Sequence, residues 1–201
     1  MTSVVSLHAL ANSPNLPLVV LVDKQQEHLA KPRLLAICEI GAALYNCRKA
    51  PDYSRRTGLP VTFVRMFGES VVFNRATPFV RWIEGFEPDR NEMVFERASG
   101  SCYCCKPFAA LVNQSRGGIA LARFAGGAAC LSTLIDAFHQ NHKVTFLCDA
   151  SASHPRQEMS ADEVRHAVST ISGVYAEVHK TAEWIAATAP RKLSNGKGGG
   201  G

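Results

Sequence analysis

The sequence predicts a three-layer α/β/α domain on a central, mainly parallel sheet of five or six strands. Three observations predict it. Short apolar runs alternate with stretches of helical periodicity, the pattern of a parallel sheet covered on both faces. The first run, Leu18–Val22, is solidly apolar and rich in β-branched residues, as a strand buried on both faces must be. The length of 201 residues suffices for one domain with a real core and is short for two.

Taken in order, Leu18–Val22 is the first strand and ends at Asp23. From Pro32 to Lys49, Leu34, Cys38, Ala42 and Tyr45 recur at helical spacing. Thr57-Gly58-Leu59-Pro60 then breaks the chain before a second strand, Val61–Met66. Residues 67–92 read as a long irregular loop, a length usually reserved for covering a site. Met93–Glu96 is a third strand and Phe108–Gln114 a helix. Ile119–Ala122 is a fourth strand, and Leu131, Leu134, Ile135 and Phe138 mark an amphipathic helix after it. Lys143–Cys148 is a fifth strand. A last helix opens on the capping-box pattern Ser160-Ala-Asp-Glu163, with a stripe through Val164, Val168, Ile171, Tyr175 and Val178. Residues 1–190 are read as one domain, and the glycine-rich stretch 191–201 as a disordered tail.

Composition excludes several classes. A hydrophobic share of 46% and a charged share of 19% are globular. The 22 basic and 17 acidic residues give a net charge of +5, without the stripe of cations expected of a nucleic-acid binder. No run of 18 apolar residues exists, so a membrane-spanning helix is not expected. The uncharged N-terminus has no basic n-region, and Pro14 and Pro17 interrupt it, so it does not read as a signal peptide. The seven cysteines are odd in number and several sit in apolar segments, which reads as reduced thiols in a cytoplasmic protein.

In parallel sheets ligands bind beyond the carboxyl ends of the strands. That rule selects Asp23, Glu96, Arg97, the Arg123–Cys130 connection, Asp149 and Ser151. A carboxylate, a cation and a cysteine beside a helix N-terminus are the parts of an activated thiol.

These residues resemble the isochorismatase-like (cysteine hydrolase) family over roughly residues 16–185. Val22-Asp23-Lys24-Gln25 resembles the Asp-x-Gln that closes that family's first strand. Phe86-Glu87-Pro88 with Val94-Phe95-Glu96-Arg97 is similar to the stretch carrying its catalytic lysine. Ile119–Ala137 followed by Val144–Ala150 is similar to its nucleophile segment. The resemblance implies an Asp, Lys, Cys triad, an oxyanion hole of backbone N–H groups, no cofactor, a small-molecule substrate and a homo-oligomer. Asp23 matches the aspartate, Arg97 stands at the lysine position, and Gln25, Gly126 and Ala129 are placed against the substrate.

Two positions depart. Arginine keeps the charge of lysine but cannot donate a proton near neutral pH. Aligning Thr133, Asp136 and Ala137 puts Ala129 at the nucleophile position and Arg123 where the family usually has glycine, so the thiol of Cys130 falls one residue late. One residue is about 100° on a helix, which turns Cys130 towards Leu134, Ala137 and the core. The alternative is a nucleophile reached through an irregular first turn, which Gly126-Gly127 would permit. Cys102-Tyr-Cys-Cys105 lacks the second ligand pair of a zinc site, the Asp-x-His metal motif of the related nicotinamidases is missing, and Gly126-Gly127 lacks the rest of a phosphate loop. Three functions stay open: C–N hydrolysis of a small polar substrate by Asp23, Arg97 and Cys130; thiol-free vinyl-ether hydrolysis with Asp23 as general acid; or a silent family member with a binding role.

Overall fold

The computed structural model describes residues 15–69, 71–124 and 127–189. Gly126 and the expected tail 191–201 lie outside the described residues. Six strands form one sheet: β1 (Leu18–Val22), β2 (Val61–Met66), β3 (Met93–Arg97), β4 (Ile119–Arg123), β5 (Val144–Leu147) and β6 (Glu177–His179). Their order is β3–β2–β1–β4–β5–β6 and every neighbouring pair is parallel. All five residues of β1 are fully buried, because alternate side chains feed opposite faces: Val19 and Leu21 one apolar cluster, Leu18, Val20 and Val22 the other.

Five helices cover the two faces: α1 (Gly41–Thr57), α2 (Lys106–Gln114), α3 (Gly127–His139), α4 (Ala161–Ser172) and α5 (Thr181–Thr188). α1 and α5 share the face of Val19 and Leu21, where Trp184 meets Tyr53 edge-on with ring centroids 5.7 Å apart. α2 and α3 cover the other face through Phe108, Leu111, Leu134 and Ala137, and α4 packs on α3. The start of β1 is pressed against the turn before β4. A Cβ on Gly117 would lie 2.3 Å from the Leu16 carbonyl carbon, so no other residue fits there. No helix among the described residues is long and apolar enough to cross a membrane.

Two sequence expectations are corrected. The helix expected from Pro32 begins only at Gly41, and Leu34 (81% exposed) and Tyr45 (66%) point into solvent. α1 packs instead through the small residues Ala43, Cys47, Ala50 and Ser54, a stripe that a search for bulky apolar residues overlooks. It stops at Gly58, whose φ of 75° is the left-handed turn that favours glycine. The helix opening at Ser160 ends at Ser172 rather than running through Val178, and it is not the last, since α5 follows it. Val164 and Val168 are buried, Ile171 is exposed, and Val178 pairs with Phe146 as part of β6. A strand of three residues is too short to show a period of its own.

The chain moves outward from β1 through β2 to β3, returns to β4, and moves outward again through β5 to β6. The switch point therefore lies between β1 and β4. Asp23 follows the first of these strands and Arg123 ends the second.

Candidate active site

Asp23 leaves β1 with a φ of 56°, a left-handed conformation that aspartate tolerates better than most residues, while its N–H still donates to Val64 O at 2.9 Å. The turn places a carboxylate that is 3% exposed at the carboxyl end of the sheet. Two guanidinium groups meet it on the same oxygen. Arg97, the last residue of β3, donates from Nη2 to Oδ2, and Arg123, the last residue of β4, does so at 3.0 Å. Oδ1 has no partner among the described residues, nor does the Nε of either arginine.

The remaining donors of the two arginines tie down the surrounding backbone. Arg97 Nη1 donates to Ser99 O. Arg123 Nη1 donates to Gly100 O at 3.1 Å and to Ala129 O at 2.8 Å, and lies 3.5 Å from Thr133 Oγ1. Thr133 Oγ1 accepts from Cys102 N at 3.2 Å. Arg123 thus spans the space between Asp23 and the first turn of α3. Two cations face one anion in a setting closed to solvent, and that excess charge is the main electrostatic fact of the site.

The structure places the other sequence-selected residues as follows. Gln25 is fully buried, and its amide is spent on the protein: Nε2 donates to Met66 O (3.0 Å) and Val80 O (3.2 Å), and Oε1 accepts from Met66 N (2.8 Å). It clamps the end of β2 to the 67–92 loop. Ala129 stands beside the arginine network, its carbonyl bonded to Arg123 and its Cβ facing Gly100. Cys130 is 3% exposed and packs in the apolar cluster with Leu134 and Ala137. Burial pushes its thiol up to about 12, so it stays protonated at neutral pH. Cys102 is buried while Cys104 is exposed, and no group of three or more His, Cys, Asp or Glu side chains among the described residues is placed to hold a metal ion.

Three more buried groups surround the centre. Lys24 is fully buried, with Nζ 3.4 Å from the centroid of the Phe124 ring, and burial lowers its pKa from the ordinary lysine value. Glu27 takes a two-point contact from Arg33 (2.9 and 3.1 Å) and accepts from Phe73 N. His28 donates from Nδ1 to Leu35 O at 3.2 Å, and burial lowers its pKa to about 4. A cavity of about 650 Å³ is lined by Arg97 with Phe67, Asn74 and Arg75, and one of about 10 Å³ is lined by Arg123 and Cys130; Asp23 lines neither.

Sequence reasoning brought Asp23 and Arg97 to one site, and the structure joins them. The carboxyl-end rule also selected the Arg123–Cys130 connection, but gave Arg123 no part in the site beyond its departure from a family glycine.

Comparison with known proteins bears on this arrangement. The family model described as Isochorismatase domain matches residues 17–183. Among solved structures, an isochorismatase from Pseudomonas putida is 22% identical, covers 85% of this chain and 90% of its own, and superposes with a TM-score of 0.77. A cysteine hydrolase from Pseudomonas syringae is 20% identical, with coverages of 87% and 92% and a TM-score of 0.78. The MAR1 ribonuclease of Caenorhabditis elegans is 16% identical, with coverages of 86% and 80% and a TM-score of 0.65. None of the curated proteins matches the chain. With the family match spanning most of its length on a six-stranded parallel sheet, the chain belongs to the isochorismatase family of hydrolases.

Proposed function

We propose that this chain is a thiol-independent hydrolase of a small anionic substrate, centred on Asp23. The observation that carries the reading is the pair of guanidinium groups on Asp23 Oδ2, with Oδ1 left free. Two cations on one carboxylate leave one positive charge to be balanced, which favours a substrate that brings its own negative charge. Asp23 Oδ1 is the atom placed to take a proton from an attacking water and return it to the leaving group. Arg97 and Arg123 supply fixed positive charge to the oxygen that becomes negative in the transition state. Cys130 has no part in this mechanism, since a thiol packed among Leu134 and Ala137 is neither ionised nor within the arginine network. A substrate must still displace the contacts of Arg123 with Gly100 and Ala129 to reach Oδ1.

The experiment is a panel of small amides, ureides and isochorismate, offered to the native protein and to Cys130→Ala and Asp23→Asn. The expected outcome is turnover of an anionic member, unchanged within about twofold in Cys130→Ala and reduced at least about a hundredfold in Asp23→Asn. Loss of turnover in Cys130→Ala would return the thiol to the mechanism.

A second reading has its own observation. Asp23 is 3% exposed and lines neither neighbouring cavity, the geometry of a centre closed by its own arginines. Under that reading the protein binds and does not turn over, and no member of the panel is consumed.

A further inference from the structure

Buried side-chain atoms without a partner gather at the carboxyl end of the sheet. Among the described residues they include Asp23 Oδ1, His28 Nε2 and His154 Nε2. His28 belongs to the short turn Gln26–His28 that follows Asp23, and it is 1% exposed. His154 lies beyond β5, two residues after Ala152, which bridges to Phe124 just past the end of β4. The two imidazole rings stand with centroids 6.4 Å apart, and the Phe73 ring meets His28 edge-on at 5.4 Å. A polar atom this deep is normally partnered, so the cluster calls for a ligand.

The tautomer of His28 says which kind. A backbone carbonyl can only accept, so Nδ1 carries the proton that His28 gives to Leu35 O at 3.2 Å. Burial lowers the pKa of the ring to about 4, which keeps it neutral at pH 7 and leaves a lone pair on Nε2. Asp23 is the charge that acts on this ring most strongly. Its carboxylate is held ionised by Arg97 and Arg123, so Oδ1 is an acceptor too. Two unpartnered acceptors side by side need a molecule that donates twice, and water does so while keeping a lone pair of its own. We infer that His28 is a further catalytic residue, which holds the attacking water jointly with Asp23. One O–H points to Asp23 Oδ1 and the other to His28 Nε2, leaving an oxygen lone pair for the substrate carbon. As the new C–O bond forms, the first proton passes to Oδ1. The bond to the leaving group then breaks, its electron pair departs with that group, and Oδ1 returns the proton to it. His28 keeps its own proton on Nδ1 throughout and fixes the direction of attack. This assignment rests on the hydrolytic reading of Asp23.

The test uses two variants of the full-length protein. His28→Phe keeps a ring without the nitrogen, and His28→Gln offers an amide oxygen near the place of Nε2. On the amide, ureide or isochorismate that the native protein turns over, His28→Phe should lower kcat about a hundredfold with KM within about threefold. His28→Gln should recover at least about tenfold of that loss, which a merely structural role would not predict. Urea midpoints establish that both variants are folded. A crystal structure of the native protein should place one ordered water within about 3.2 Å of both Asp23 Oδ1 and His28 Nε2. That measurement needs no variant, so it decides the assignment even where His28→Phe does not fold. Native turnover in folded His28→Phe, an equal loss in both variants, or no water joining the two atoms would overturn the assignment of His28 alone. No turnover of any panel member by the native protein would overturn the reading of Asp23 and this assignment with it.

Discussion

The central cluster has an unusual stoichiometry: Asp23 Oδ2 accepts from two arginines, while Asp23 Oδ1 and the Nε of both arginines have no partner among the described residues. Arg97 supplies more than a charge, because its fork of donors also fixes Ser99 and the turn that follows β3. Lys24 next to it is fully buried and faces the Cys47 thiol, and burial outweighs that contact in lowering its pKa. Its nitrogen rests on the Phe124 ring and meets no carboxylate oxygen at bonding distance. Lys24→Met keeps the length of the side chain and removes the polar group, so it should stabilise the protein by about 1–3 kcal/mol in urea unfolding. A loss of stability would mean that the amine is bonded more strongly than this packing implies. Asp23 and Arg97 were legible in the sequence because the carboxyl-end rule needs only strand boundaries. The inward turn of Arg123 was not, since nothing local distinguishes a strand-ending arginine that folds over the site from one that faces solvent.

At the scale of elements, legibility followed the strength of the local signal. β1, β2, β4 and β5 lie within one residue of their expected ranges, and β1 shows why: a strand buried on both faces has little freedom in its composition. The start of α4 was legible for another reason: Ser160 and Glu163 complete a reciprocal cap, with Glu163 N to Ser160 Oγ at 3.3 Å and Ser160 N to Glu163 Oε2 at 2.8 Å. Ser160→Ala should lower stability by about 1 kcal/mol, measured as a shift of the urea midpoint without change in slope. No change would show that tertiary packing alone holds this end of α4. α1 and β6 were misjudged for opposite reasons. α1 packs by small residues that carry little hydrophobic weight, and β6 is held by its pairing to β5 rather than by its own pattern.

Across the whole molecule, the charge buried at the carboxyl end of the sheet sets the response to acid. His28 titrates near 4 in the folded chain against an ordinary 6.5, the main cause being burial, and faces Asp23, Lys24 and His154. Between those two values the unfolded chain holds a proton that the folded chain refuses. Stability therefore falls as pH drops through about 6.5 towards about 4, by up to about 3 kcal/mol from this group, and is restored above that window. His154 is shifted in the same direction by its own burial and adds to the slope. Urea midpoints taken across this range should flatten in His28→Gln; a slope that survives the substitution would place the acid sensitivity elsewhere.

The cysteines give the fold a further consequence, for anyone sorting proteins by chemical labelling. The thiols beside the centre, Cys102 and Cys130, are sealed in the core, whereas Cys38 and Cys104 are open to solvent. A thiol-seeking warhead that marks cysteine-using hydrolases in a mixture would tag this protein at its surface, and inhibitors competing for the Asp23 centre would not displace the tag.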